Sequence, residues 1–246
     1  MQKYPQVIPF IHIDPRREEH FELFQKYVDQ YNFQGVKIYP PLGYYPYDDR
    51  LMPIYEICQE KGLPVMSHCS PFNPVHYKGS REEIQRLLLK SKSDKALELY
   101  DRSKKELCAQ FTHPENWRLV MNRFPNLKIC LAHFGSAYYW EKFLTQPQSE
   151  NNWFTIIKDM IKEYDNLYAD VSFTMHNQDF FSTLKVLLSD VKIRDRVLYG
   201  SDYYMMQTQC TERRFAIDLR AYLGEEYFQA IAKTNPERFL KQNIQG

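Results

Sequence analysis

The stretch Lys128-Ile-Cys-Leu-Ala-His133, followed by Phe134-Gly135-Ser136, decides the fold. A short apolar run that ends at a glycine-containing loop reads as a buried strand rather than as a helix. This one closes on a side chain that can bind a metal or move a proton. Working outward, five more runs of the same kind lie at residues 7–13, 36–39, 64–68, 167–172 and 196–201. Each is short, apolar or β-branched, and followed by a loop. Helical patterns fill the intervals. In 18–31, Phe21, Phe24, Tyr27 and Val28 recur on one helical face. Asp48 or Asp49 is placed to cap a helix running to Glu60, with Gly62 at its C-terminal end. Further helices are expected at 114–123, 153–163, 180–188, 212–223 and 226–233, and a last one from Pro236 with Asn235 as its cap. Alternation of this kind signals βα units and a parallel sheet.

The interval 70–126 is too long for a simple crossover. It contains Pro71, Pro74 and Gly79, then a strongly helical stretch at 80–107. It reads as a helical insertion, either a lid over a barrel mouth or an extra peripheral helix. The 246 residues suit one α/β domain, and an eight-stranded (β/α) barrel needs about 250. The strand count is six.

Composition narrows the functional classes. Hydrophobic residues make up 43% and charged residues 26%, as in ordinary globular domains. The net charge of +1, from 32 basic and 31 acidic residues, argues against a surface built to neutralise nucleic-acid phosphates. No apolar run approaches the roughly 20 residues of a membrane helix. Met1–Pro5 lacks a signal-peptide pattern, so a cytoplasmic location is expected. The five cysteines are scattered and odd in number, which speaks against a disulfide framework or a cysteine-rich zinc site.

Several strand candidates end in chemistry-bearing residues. Pro64-Val-Met-Ser-His68 and the 128–133 run end in histidine, and Arg196-Val-Leu-Tyr-Gly-Ser-Asp202 ends in aspartate. Lys37 sits inside an apolar strand. In parallel barrels the C-terminal strand ends converge on one mouth, where catalytic groups sit. Imidazole nitrogen and carboxylate oxygen suit zinc and similar divalent ions. A catalytic metal lowers the pKa of its bound water to about 7, and a neighbouring His or Asp can take the proton. Singly, each residue has a plainer reading: a hydrogen-bonded structural histidine, an aspartate capping the next helix, a lysine reaching the surface from a strand end. Three at strand ends in one chain favour a shared site.

The ordered segments Gly35-Val-Lys-Ile-Tyr-Pro40, Gly62-Leu-Pro-Val-Met-Ser-His68, Phe124-Pro-Asn-Leu-Lys-Ile-Cys-Leu-Ala-His-Phe-Gly135, Asn166-Leu-Tyr-Ala-Asp-Val-Ser172, Arg196-Val-Leu-Tyr-Gly-Ser-Asp202 and Asn235-Pro-Glu-Arg-Phe-Leu240 cover nearly the whole chain. In order and spacing the sequence resembles the amidohydrolase-related branch of the amidohydrolase superfamily, which includes decarboxylases. The resemblance implies a TIM-type (β/α) barrel in one domain, residues 1–246, with the 70–126 insertion after the fifth-strand equivalent. It implies His68 as metal ligand on the fifth strand and His133 on the sixth, as a second-metal ligand or as general acid/base. Asp202 becomes the eighth-strand carboxylate that binds metal and handles the water proton. Lys37 occupies the fourth-strand position, where some relatives bridge two metals; otherwise it contacts substrate.

One departure matters. The family's first strand carries a His-x-His pair, and this sequence has none. His12-Ile-Asp14 precedes Pro15-Arg16-Arg17 and so matches the family's third strand instead. The six strands then correspond to the last six of eight, and the incomplete barrel lacks the first two. A zinc ion normally has about three protein ligands, so the absent pair leaves it short. Homodimerisation, or another chain supplying the strands, would cover the exposed edges.

Tyr39, Tyr44, Tyr45 and Tyr47, and Tyr203 and Tyr204 after Asp202, can stack on an organic substrate or pack under loops. His176 can contact substrate. Surface roles are expected for His20, His76 and His113; Arg16 and Arg17 suit either a carboxylate ligand or a helix entry. The activity implied is metal-activated hydrolysis of an amide, ester or lactone bond in a small substrate, with Asp202 and His133 as proton carriers. Decarboxylation, a non-catalytic subunit with an incomplete metal site, and a small-molecule binding module are the rivals.

Overall fold

A computed structural model describes residues 6–72, 77–93 and 95–240. The chain forms two compact units, Met1–Ile129 and Cys130–Gly246. All six expected strands are present among the described residues, five of them shorter than expected and the one at Gly35–Ile38 shifted by one residue.

In the first unit, β1 (Phe10–Ile13), β2 (Gly35–Ile38) and β3 (Val65–His68) pair in parallel and in chain order. Gly35 is required by contact: a Cβ there would lie 2.3 Å from the Phe10 ring. Helix His20–Tyr31 links β1 to β2 and buries Phe24, with Phe21, Tyr27 and Val28 half-buried along the same stripe. Helix Met52–Lys61 links β2 to β3. Asp48 accepts a hydrogen bond from Arg50 N–H ahead of it, and Gly62 closes it at φ 68°, a left-handed conformation that glycine adopts without steric cost.

The insertion departs from the expected single helical stretch at 80–107. In place of that stretch stand two helices, Arg81–Leu88 and Lys104–Ala109, each opened by a capping box, Ser80 with Glu83 and Ser103 with Glu106. Between them side chains take over from helical hydrogen bonds. Gln85 Nε2 donates to the Leu99 carbonyl at 2.8 Å, and Gln110 both donates to the Glu98 carbonyl and accepts from Glu98 N–H. Ser91 competes for the backbone locally, its Oγ accepting from Ser93 N–H at 3.1 Å. The position His76 lies outside the described residues. His113 differs from expectation: it is 2% exposed, and its Nδ1 accepts from Glu115 N–H at the start of the turn Pro114–Trp117. His20 bonds the Arg17 and Arg50 carbonyls.

The second unit begins in β4 (Ile129–Ala132) and continues with β5 (Leu167–Asp170) and β6 (Val197–Leu198), β5 and β6 being parallel. Helices Trp153–Glu163, Phe181–Leu187 and Glu212–Leu223 fall where the apolar periodicity places them. Helix Ala137–Thr145 is an addition to the expected elements; its consecutive aromatic residues mask a period. β6 is shorter than expected because Tyr199 N–H leaves the ladder for the Ile231 carbonyl at 2.8 Å. That acceptor lies in a π-helical turn, Ala230–Thr234, between Glu225–Gln229 and Asn235–Leu240. Asn235 therefore does not cap a new helix. It sits within the helical run and donates from Nδ2 to the Arg194 and Val197 carbonyls, tying the run to β6.

Candidate functional site

In the first unit the register sorts the strand residues by face. His12 pairs with Lys37, and Lys37 with Met66, so these side chains share one face of the sheet. Alternation places Tyr39 and His68 next on that face, and their rings lie 4.6 Å apart. His68 is 8% exposed. Its carbonyl accepts from Thr112 Oγ1 and from Ser67 Oγ, while Cys69 Sγ donates to the Thr112 carbonyl. Thr112 in the insertion thus clasps the end of β3.

The tyrosines after β2 are engaged in packing. Tyr44 Oη accepts from Tyr39 N–H at 2.7 Å, and burial raises its pKa. Tyr45 stacks on Tyr47 at 4.8 Å and donates to the Leu88 carbonyl. Tyr47 Oη holds Ser91 Oγ and Lys92 N–H. The hydroxyls of Tyr45 and Tyr47 are therefore committed to the insertion. Nearby, Arg16 grips Asp14 with two nitrogens at 2.7 and 2.8 Å and reaches the Leu42 carbonyl. Burial pushes the Asp14 carboxyl up, but hydrogen bonds from the Arg16 side chain and backbone outweigh it, and its pKa falls below the ordinary 3.8. Arg16 is thus a structural clamp on the β1–helix connection.

The second unit holds a dense polar cluster at the ends of β4 and β5. His133, Phe134, Gly135 and Ser136 all have positive φ: 69°, 43°, 81° and 80°. Three of the four are not glycine, so the turn carries backbone strain of order 1–3 kcal/mol per residue. Surrounding groups hold it. His133 N–H donates to Asp170 Oδ1 at 2.9 Å, and Thr174 Oγ1 donates to the His133 carbonyl at 2.6 Å. Phe134 is wholly buried, 5.5 Å from the Phe154 ring and 5.6 Å from Trp140, whose indole N–H donates to the Phe134 carbonyl. The imidazole Nδ1 of His133 lies 3.0 Å from the Ser172 carbonyl oxygen and 3.1 Å from Ser172 Oγ.

Asp202 follows β6 at φ 52°, is exposed, and uses its carbonyl to start the short helix Tyr203–Met206. Tyr203 and Tyr204 are exposed beside it, their rings 5.5 Å apart. His176 stacks on Phe173 and bonds its carbonyl at 2.7 Å. Sequence reading missed Asp170, Ser172, Thr174 and Thr112 as individual site residues. A signal for Asp170 exists: a carboxylate closing an apolar strand, the same pattern that singled out His68 and His133.

A family model described as amidohydrolase matches residues 1–242. The chain belongs to the amidohydrolase family. Solved structures that resemble this chain include the following three. An uncharacterized TIM-barrel protein from Bordetella bronchiseptica shares 19% identity over 98% of this chain and 69% of its own, with a TM-score of 0.62. A putative amidohydrolase from Staphylococcus aureus shares 19% over 92% and 70%, TM-score 0.51. Dihydroorotase from Saccharomyces cerevisiae, in complex with 5-fluoroorotic acid, shares 17% over 99% and 70%, TM-score 0.51. They establish an α/β fold of the TIM type. A comparison with curated proteins finds no match. No helix among the described residues is long and apolar enough to cross a membrane.

The family implies a divalent metal. Among the described residues no group of three or more His, Cys, Asp or Glu stands ready to hold one ion.

Proposed function

We propose that this protein uses water to cleave an amide, ester or lactone bond of a small organic substrate, with His133 taking and returning the proton. One observation carries this reading. The His133 Nδ1 faces the Ser172 carbonyl oxygen at 3.0 Å, so Nδ1 is the protonated nitrogen and Nε2 bears the lone pair. A general base needs that lone pair and a fixed ring. Asp202 is proposed as the second proton carrier. His68 is proposed as a metal-facing group with zinc as the metal, on the strength of the family resemblance. Lys37, Tyr39, His176 and Tyr203 are proposed substrate contacts.

The test is hydrolysis of a panel of amides, esters and lactones by the purified protein, with and without added zinc. We expect turnover of at least one class, lowered about 10²–10⁴-fold in His133→Ala. Turnover unchanged in that variant sinks the assignment of His133.

A second reading follows from the missing three-ligand group: a non-catalytic member that does not hold metal by itself. Calorimetric zinc titration separates the two. Stoichiometric tight zinc excludes the second reading; no zinc uptake together with no turnover across the panel supports it.

A further inference from the structure

We propose that Asp170, acting through Ser172, locks the neutral His133 ring in the Nδ1–H tautomer, which makes Asp170 a positioning residue. The argument is a count of protons. Asp170 is 5% exposed and closes β5. Its Oδ1 accepts from His133 N–H at 2.9 Å, from Ser172 N–H at 3.0 Å and from Ser172 Oγ. Its Oδ2 accepts from Cys130 Sγ at 3.7 Å. With two backbone N–H groups aimed at it, Oδ1 meets Ser172 Oγ as an acceptor.

Ser172 has one hydroxyl proton, and it points at Asp170. Toward His133, Ser172 Oγ therefore offers only a lone pair, at 3.1 Å. The Ser172 carbonyl oxygen offers another, at 3.0 Å. Facing two acceptors, Nδ1 must be the donor, and the lone pair of the neutral ring falls to Nε2. Were Asp170 absent, the serine hydroxyl could turn and donate to Nδ1, and the other tautomer would become available.

The arrangement is not a nucleophilic triad. In a triad the acid binds the imidazole and the imidazole takes the serine proton. Here the acid binds the serine and the histidine backbone, and the serine proton is already committed. Gly200 lies close to Ser172: a Cβ on Gly200 would stand 3.0 Å from Ser172 Cβ. Thr174 holds the same histidine by its carbonyl.

The inference rests on the proposed function only for its use; the tautomer itself is independent of turnover. The test is nitrogen NMR of the full chain labelled with ¹⁵N-histidine, without metal, at a pH where the rings are neutral. His133→Ala assigns the two resonances. We expect a pyrrole-like Nδ1 and a pyridine-like Nε2 in the parent protein. Ser172→Ala keeps that pattern through the carbonyl. Asp170→Ala shifts the ring toward the Nε2–H form, and Asp170→Asn, whose amide oxygen still accepts the serine proton, restores the parent pattern. A pyrrole-like Nε2 in the parent overturns the proposal. So does a parent-like tautomer in an Asp170→Ala protein that still unfolds cooperatively. Where Asp170→Ala does not fold, the parent and Asp170→Asn decide: Nε2–H in either overturns it. An Nδ1–H parent that hydrolyses nothing leaves the tautomer standing and removes the hydrolytic reading.

Discussion

Thr112 donates its hydroxyl proton to the backbone carbonyl of His68. The last residue of β3 is thereby held by a side chain from within the insertion. Ser67 Oγ also reaches that carbonyl at 3.1 Å, so removing one donor does not orphan it. Thr112→Val, which keeps the shape, should therefore cost only about 1 kcal/mol, the net worth of one hydrogen bond. Urea unfolding measures it. A loss above about 3 kcal/mol would mean that the clasp does more than hold one carbonyl.

Gly200→Ala tests the close approach of the chain after β6 to Ser172. The added methyl would sit 3.0 Å from Ser172 Cβ and 3.7 Å from Asp170 Cγ. Overpacking of this kind costs about 1–3 kcal/mol. A lower midpoint in thermal melts is expected, with a changed His133 environment in NMR spectra. An unchanged midpoint would show that the segment can retreat.

Asp14 gives a pH-dependent signature. Its pKa in the folded protein lies below 3.8 because the Arg16 hydrogen bonds outweigh burial. A depressed carboxylate pKa contributes stability that is present above the unfolded value and is lost as pH falls through the folded value. Arg16 is partly exposed, so solvent screening limits the pair to roughly 0.5–1 kcal/mol. Asp14→Asn should be less stable than the parent by a constant amount above about pH 5. The gap should close below pH 3.8. Paired urea titrations from acid to neutral pH read this directly; a gap that widens in acid contradicts the sign.

Phe134→Ala removes a fully buried ring from between Phe154 and Trp140. The cavity alone should cost about 3–5 kcal/mol. The alanine must also hold φ 43° without the packing that imposes it. Phe134→Leu, which fills more of the space, should recover part of the loss in chemical denaturation. Equal losses for both variants would place the effect in the backbone.

Much of the fold is legible in the sequence, because its strands are short apolar runs closed by chemistry-bearing residues. His68, His133 and Lys37 stand out for that reason, each a titratable group in apolar company. The interrupted helix at 89–103 was not legible. It depends on Gln85 and Gln110 bonding backbone groups more than ten residues away, and no local pattern reports such pairings. The π-turn at Ala230–Thr234 escapes for a similar reason: the partner of its Ile231 carbonyl is Tyr199. Asp170 lay within a segment that carries the family resemblance, yet its role emerges only when its oxygens are seen to collect donors from two strand ends.

The left-handed run at 133–136 also sets an order of assembly. No stretch of three non-glycine residues with positive φ is favoured by its own local energetics. This one can close only after Asp170 arrives on β5 and Phe154 on helix Trp153–Glu163. The expected outcome is that the imidazole of His133 is placed late in folding and released early in opening. Amide exchange at His133 should report a partial opening of lower free energy than exchange at Leu131 in the adjoining strand. The unit could lose its proton-handling geometry through that opening while the surrounding helices remain intact.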